Sequence, residues 1–473
     1  MKKKLCAIMM AISIMLSFVL TGCFGSKVSV VGIEQSTVDG ETIYTVKYSD
    51  GTTSTLNVPN GKDGLNGATG QNGKDGQDVS LEDVFQKWLD ENPGESYDTF
   101  LREYLSYSDS GNITTIHSAL LSSAKVYTEF TEKKQTGFYQ TTVDTSVYLG
   151  SSVIYKKDSD YTYFMTNYHV IYSASSYEKT PKRVVCYLYG SEGEPVKDGT
   201  DESGYTKYNY GGYGIECEYY GGSATTDIAI VRAKTVDVDA INPNVKPITF
   251  AQRYYVGETA IAIGNPEGEG ISVTEGIVSV DNEMISLNVD GTSRQYRSIR
   301  IDTAIYNGSS GGGLFNSEGH LIGITNSGDG NDQNVNYAVP LEIVESVADN
   351  IMYHASNGVK TAMKIKLGIT VDSHNSKYVY STQNGYGRIV EDVTISEVSE
   401  NSIAMQMGLQ NGDIIRSISI NEKEYPIERY FSIGDLLLRV RTGHTLIVTY
   451  ERNGETKKST EYVVVSSDVN VTA

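Results

Sequence analysis

The sequence predicts a mainly β protein of several domains, and three observations carry that expectation. Tyrosine is frequent (35) and tryptophan nearly absent (1) in 473 residues, a balance that suits strands better than helices. From about Asn112 to Asp349 short runs alternate apolar and polar residues between glycine turns. Val359 to Asp468 repeats that texture as a separate β-rich block. The length fits two or three domains of roughly 150 residues each. With 39% hydrophobic and 21% charged residues the chain can build a folded, soluble body. A formal net charge of −20 argues against nucleic acid as a partner, because phosphate binding needs a basic surface.

Taken in order, the chain opens on a secretory signal over residues 1–22. Lys2, Lys3 and Lys4 precede an apolar run from Leu5 to Leu20 and then small residues. The run falls short of the about 20 residues a membrane span needs. Its end, Leu20-Thr21-Gly22-Cys23, resembles the lipobox of bacterial lipoproteins. That resemblance implies cleavage before Cys23, a diacylglycerol on its thiol, and a protein anchored to the cell membrane on its extracytoplasmic side. Cys186 and Cys217 then remain. They can form one disulfide in an oxidising compartment or stay as two buried thiols, and both readings are open. No His/Cys spacing resembles a metal site, so no metal is expected.

Within 23–59, residues 28–58 alternate with Asp39-Gly40 and Asp50-Gly51 as turn signals, which predicts a small β segment. Residues 60–78 carry glycine at 61, 64, 67, 70, 73 and 76, the collagen-like Gly-X-Y period. Six triplets without proline make a marginal triple helix, so an extended spacer is expected, reaching roughly 55 Å. Over 79–110 a helical hairpin is expected: Ser80 and Asp83 cap it, Val84, Trp88 and Leu89 make an apolar face, and Asn92-Pro93-Gly94 breaks it. Phe100, Leu101, Tyr104 and Leu105 form the second helix.

The chemistry centres on the stretch YNGSSGGGLF, Tyr306 to Phe315. Gly/Ser-rich runs are usually linkers, but this one lies between alternating strands, QYRSIRIDTAI before it and LFNSEGHLIGITNS after it. Its glycines therefore supply a tight backbone. His169 follows an apolar strand in FMTNYHVIY, and Asp227 opens one in SATTDIAIVRA. The order His–Asp–Ser is that of a chymotrypsin-type triad. Asp198, Asp201, Asp237 and Asp239 compete for the acid role from polar, loop-like surroundings. Ser309 is the rival nucleophile, and only Ser310 is followed by Gly-Gly.

At these residues the chain resembles the HtrA/Deg-type serine proteases. TNYHV is similar to their histidine motif, TTDIAIVR to their aspartate strand, and IDTAIYNGSSGGGLFNSEGHLIGI to their serine block, with YAVP at 337–340 closing the domain. The resemblance implies a trypsin-like, chymotrypsin-fold double β-barrel over 112–350, with Ser310 as nucleophile, His169 as base and Asp227 as acid. The triad template puts oxyanion donors at the N–H groups of Gly308 and Ser310, and Ser309 between them is counted with that oxyanion loop. Gly313 stands where the family has proline, which leads one to expect a more flexible loop. His169 and Asp227 are 58 positions apart, longer than the family pattern, and DESGYTKYNYGGYG reads as an exposed insert near the site.

The last block, 359–468, resembles a PDZ domain. KIKLGITV is similar to its first strand and carboxylate-binding loop, here Leu367-Gly368-Ile369, and SENSIAMQMGLQNGDIIRSISINEKE to its middle. In FSIGDLLLRVRTGHTLIVTYERNGE, Ser432 and Asp435 read as a helix cap with Leu436, Leu437 and Val440 inward. The resemblance implies binding of C-terminal peptides by strand addition to a sheet edge.

The expectation is a lipid-anchored serine endopeptidase that acts on misfolded exported proteins, with polypeptide substrates, no cofactor and the family's usual trimer. The alternative is a catalytically weak or inactive protease-like scaffold that binds peptides at the cell surface. A stalked adhesin is the third reading, suggested by the glycine triplets alone.

Overall fold

Strand patterning is expressed as a small meander, two closed barrels and a C-terminal sheet, all antiparallel, in a computed structural model. It describes residues 30–38, 41–48, 51–59, 89, 110–135, 141–329, 332–382 and 385–472. The expected signal segment, Cys23, the glycine triplets and, apart from Leu89 and Ser110, the expected helical hairpin lie outside the described residues. The chain divides into two compact units, Met1–Gln86 and Lys87–Ala473. In the first, β1 (Val30–Val38), β2 (Glu41–Tyr48) and β3 (Thr53–Pro59) form an antiparallel meander in that order.

In the second unit, the described residues past Leu89 run from α1 (Ser110–Leu120) into two closed six-stranded barrels. The first barrel uses β4 (Ser123–Gln135), β5 (Thr141–Lys157), β6 (Tyr161–Thr166), β7 (Arg183–Leu188), β10 (Ile215–Ser223) and β11 (Ile228–Lys234), in the order β10-β11-β6-β5-β4-β7. Between β7 and β10 lies a short exposed ribbon of β8 (Val196–Thr200) and β9 (Thr206–Asn209). A short helix, α2 (Thr235–Ile241), follows β11. The second barrel uses β12 (Thr259–Gly264), β13 (Ser272–Asn288), β14 (Ser293–Ile301), β15 (Gly313–Phe315), β16 (Leu321–Asp329) and β17 (Asp332–Pro340), in the order β12-β13-β14-β17-β16-β15. Closure leaves neither barrel a free edge. The fold class expected from the sequence holds.

Alternation along each strand feeds two cores. In β11, Ala229 and Val231 fill the first barrel while Ile228 and Ile230 face the seam between barrels. In β12, Ala260 and Ala262 fill the second barrel while Ile261 and Ile263 meet the same seam. Strands buried on both faces read as continuous apolar runs, which is why IAIV and AIAI lack polar positions. Helix α3 (Leu341–Ser356) closes the seam with Val344, Val347 and Ile351.

Past α3 come β18 (Met363–Lys364), β19 (Ile369–Ser381), β20 (Tyr386–Val398), α4 (Ile403–Gln406), β21 (Ile414–Ile420), β22 (Lys423–Pro426), α5 (Ser432–Leu437), β23 (Thr445–Arg452), β24 (Glu455–Lys458), β25 (Tyr462–Val463) and β26 (Val471–Thr472). Five of these strands pair in the order β19-β20-β21-β23-β24 around a core of their own that includes Val393, Ile415, Leu446 and Val448. Leu436, Leu437 and Val440 are all buried in it, as read from the helix pattern.

Ser432 and Asp435 do not cap α5. Its N-cap is Phe431, with no side-chain cap bond. Asp435 instead turns to Arg297 on β14, 2.6 Å from its Nη2, which also lies 3.1 Å from Glu342. The Arg297 guanidinium stacks over the Phe431 ring at 4.2 Å. Asn350 on α3 donates to the carbonyls of Met363 and Leu438, each at 2.7 Å. The C-terminal sheet is therefore tied to the second barrel through α5 and its flanks. No helix among the described residues is long and apolar enough to cross a membrane.

Candidate active site

β6 ends the apolar run FMT and delivers Asn167 and then His169 in a single 3₁₀ turn, Tyr168–Val170. Asp227 sits just before β11 in a left-handed backbone (φ 56), held there by the Asn167 Nδ2, which donates to its carbonyl at 2.8 Å. Aspartate tolerates that conformation better than most residues. The His169 backbone N–H donates to Asp227 Oδ1 at 2.9 Å, and the ring Nδ1 lies 2.8 Å from Oδ2. A carboxylate only accepts, so Nδ1 carries the proton and Nε2 is left basic. Asp227 is fully buried while the His169 side chain keeps 32% of its surface open. Burial by itself disfavours the imidazolium; the Asp227 charge and its hydrogen bond outweigh that, so the His169 pKa is raised above its ordinary 6.5. Of the rival acids, Asp201 pairs with Lys182 at 2.7 Å and Asp239 with Lys157 at 2.6 Å.

Ser310 lies across a cleft of about 460 Å³ that His169, Tyr306, Asn307, Asn326 and Gly328 also line. The structure thus brings all three sequence-predicted residues to one place. Its hydroxyl donates to the Asn326 carbonyl at 3.0 Å. Among the described residues no hydrogen bond joins it to His169, so the carboxylate–imidazole pair is assembled while the serine hydroxyl is turned aside.

Tyr306 to Ser309 form a tight turn closed by the Ser309 N–H on the Tyr306 carbonyl at 2.9 Å. Gly308 occupies its third position with φ 93, which a type II turn requires. A Cβ there would meet Leu149 Cδ1 at 2.2 Å and the Asn265 carbonyl at 2.3 Å. Because the Ser309 N–H is spent inside the turn, Ser309 drops out as an oxyanion donor. The N–H groups of Gly308 and Ser310 have no partner among the described residues. The expected looseness at Gly313 is also corrected: it is a β15 residue paired with Ile263 and Ile324, and a Cβ on it would strike the Phe315 ring at 2.4 Å.

Three buried polar residues escaped the sequence reading. Ser151 on β5 donates from Oγ to the Gly308 carbonyl at 2.7 Å and from N–H to the Ser310 carbonyl at 2.8 Å. Thr325 on β16 donates to the Ser309 carbonyl at 2.6 Å. Asn326 beside it donates from Nδ2 to Asp227 Oδ2 at 2.8 Å. Their only sequence signal is a polar residue within or ending an apolar strand.

Residues 150–324 match the family model of a trypsin-like peptidase domain. The domain is trypsin-like. "Serine protease Do-like HtrB" of Bacillus subtilis (strain 168) is 27% identical over 65% of this chain and 60% of its own length. "Serine protease Do-like HtrA" of the same strain is 29% identical over 67% of this chain and 64% of its own. Among solved structures, "HtrA-type protease AlgW with decapeptide" is similar at 21% identity and a TM-score of 0.44, over 75% of this chain and 98% of that one. Both of these Bacillus subtilis relatives are named as HtrA-type serine proteases. The chain spans about 60% of the length of the first of those relatives.

The C-terminal candidates gather at one turn before β19. Leu367 is buried in the C-terminal core, Gly368 has φ 78, and a Cβ there would meet Ser402 Cβ at 2.3 Å. The Leu367 and Gly368 carbonyls accept from Ala404 and Ser399, each at 2.9 Å, while their N–H groups have no partner among the described residues.

The trypsin-like domain yields a first prediction. In an NMR pH titration, His169 titrates above 6.5 in the native chain and below 6.5 in Asp227→Asn, where burial acts without the opposing charge. A pKa unmoved by the substitution would contradict the stated cause.

Proposed function

We propose that this chain is a serine endopeptidase that hydrolyses peptide bonds of exported, misfolded proteins through Ser310, His169 and Asp227. The observation that carries it is the buried Asp227 oriented onto His169 across the cleft from Ser310, beside two N–H groups without partners. On this reading the neutral Nε2 of His169 takes the Ser310 proton as Oγ attacks the carbonyl carbon. Asp227 stabilises the imidazolium, and the Gly308 and Ser310 N–H groups receive the oxyanion. The proton then passes to the leaving amine, and water repeats the sequence on the acyl-enzyme. Attack requires Ser310 to leave the Asn326 carbonyl and turn to His169. That resting arrangement is also what favours the second reading, a scaffold of low intrinsic activity.

Ser310→Ala should abolish hydrolysis of an unfolded casein substrate by the chain while leaving its circular dichroism unchanged. Asp227→Asn should lose about 10⁴-fold in kcat, the magnitude of the triad template's own worked case. Turnover by Ser310→Ala equal to the native rate would remove the enzyme reading.

The C-terminal sheet is proposed as a PDZ domain that receives a peptide C-terminus at Leu367-Gly368-Ile369. Support comes from the two N–H groups without partners at a glycine turn that opens an edge strand, the arrangement strand addition needs. Calorimetry with an apolar peptide and its C-terminally amidated twin checks this: binding should fall at least tenfold on amidation. Indifference to amidation would leave the sheet a packing domain.

Anchoring is proposed through lipidation of Cys23, supported by the Leu20–Cys23 sequence after an apolar run. Two acyl chains hold a protein stably where one does not. Cys23→Ser should therefore move the chain from membrane pellet to soluble fraction; retention in the pellet would mean another anchor. A trimer, by resemblance, belongs to the same reading.

A further inference from the structure

The two cysteines left open by the sequence meet in the first barrel. Cys186 lies on β7 and Cys217 on β10, antiparallel neighbours in which Cys186 faces Ile215 and Cys217 faces Val184. The two sulfurs therefore sit diagonally on one face, and the Cys217 thiol donates to Cys186 Sγ at 3.4 Å. Their surroundings differ. Cys186 has no exposed surface and packs among Val126, Val184 and Ile215, whereas Cys217 is half-buried against the same cluster.

Their place in the chain gives the contact a consequence. β7 leads into the segment that holds the exposed β8–β9 ribbon, and β10 leads out of it. The diagonal Cys186–Cys217 contact thus lies across the neck of that insert. The insert is joined to the candidate site. Its Glu192 accepts from the Ile271 N–H at 3.0 Å, at the end of the loop whose Glu267 N–H donates to the Asn307 carbonyl at 2.7 Å.

We propose that Cys186 and Cys217 are an oxidation site that closes into one disulfide and staples the neck of the insert. Burial orders the steps. The more accessible Cys217, as thiolate, attacks one sulfur of a small-molecule disulfide R–S–S–R. That forms Cys217–S–S–R and expels R–S⁻. Cys186 then loses its proton and attacks the Cys217 sulfur, forming the internal disulfide and expelling the second R–S⁻. Two protein thiols are oxidised by two electrons, one external disulfide is reduced to two thiols, and both protons leave with them. Hydrogen bonding with Cys186 and burial raise the Cys217 thiol pKa, so the first step quickens as pH rises. The proposal is independent of the peptidase reading.

The full chain is equilibrated with glutathione disulfide and glutathione near −200 mV, a poise on the order of that in oxidising compartments. It is then denatured, alkylated and mapped by mass spectrometry. The expected result is one linked peptide pair joining Cys186 to Cys217, two hydrogens lighter than its free components. Closing this loop should raise Tm by roughly 5–15 °C. Dithiothreitol should remove that gain from the native chain and leave Cys217→Ser unchanged. Alkylation of both cysteines at that poise, or glutathione retained on Cys217 without transfer to Cys186, would overturn the proposal. The map is read on the native sequence, so it stands even where a variant fails to fold.

Discussion

The arrangement depends on one buried carboxylate. Asp227 has no exposed surface, and burying an ion costs several kcal/mol unless its oxygens are satisfied. Three donors meet it: the His169 N–H, the His169 ring Nδ1–H and the Asn326 Nδ2–H. Two come from the turn after β6 in the first barrel and one from β16 in the second. The carboxylate is therefore a polar pin through an apolar seam made of Ile228, Ile230, Ile261 and Ile263. Removing any donor leaves charge uncompensated there, which couples the barrels' packing to the histidine's orientation.

The serine side is organised differently. Its loop is held by carbonyl acceptors. Ser151 grips the Gly308 and Ser310 carbonyls and Thr325 the Ser309 carbonyl, so the chain path is determined on both flanks. What stays unspent is a pair of N–H groups, and what is parked is the Ser310 hydroxyl on Asn326. Asn326 thus serves both halves, its side chain donating to Asp227 and its carbonyl accepting from the Ser310 hydroxyl. A rigid loop with one rotatable hydroxyl needs little reorganisation to change state. Through Arg297 on β14, the second barrel is also bonded to Asp435 on α5.

Much of this was legible in the residues. Strand alternation and glycine turns specify a β protein, because the side-chain period of two is local. His169, Asp227 and Ser310 could be singled out because the first follows an apolar strand, the second opens one and the third sits in a glycine-rich stretch between two. The glycines of Tyr306–Phe315 could be assigned to a tight backbone because they lie between alternating strands. Local chemistry of this kind survives in one dimension.

The remainder depended on contacts between distant segments. Ser309 looked like an oxyanion donor until its N–H closed a turn on Tyr306, and Gly313 looked loose until its strand packed on Phe315. Asp435 matched a helix-cap spacing, yet Arg297, 138 positions away, offered it a charge. Ser151, Thr325 and Asn326 carry no motif, because their partners are backbone atoms or a carboxylate brought close by barrel closure. The sequence by itself determined which residues can do chemistry and which strands can bury them. Only the tertiary structure decided which polar groups meet, because a hydrogen bond is settled by a few tenths of an ångström between segments that the order of residues does not measure.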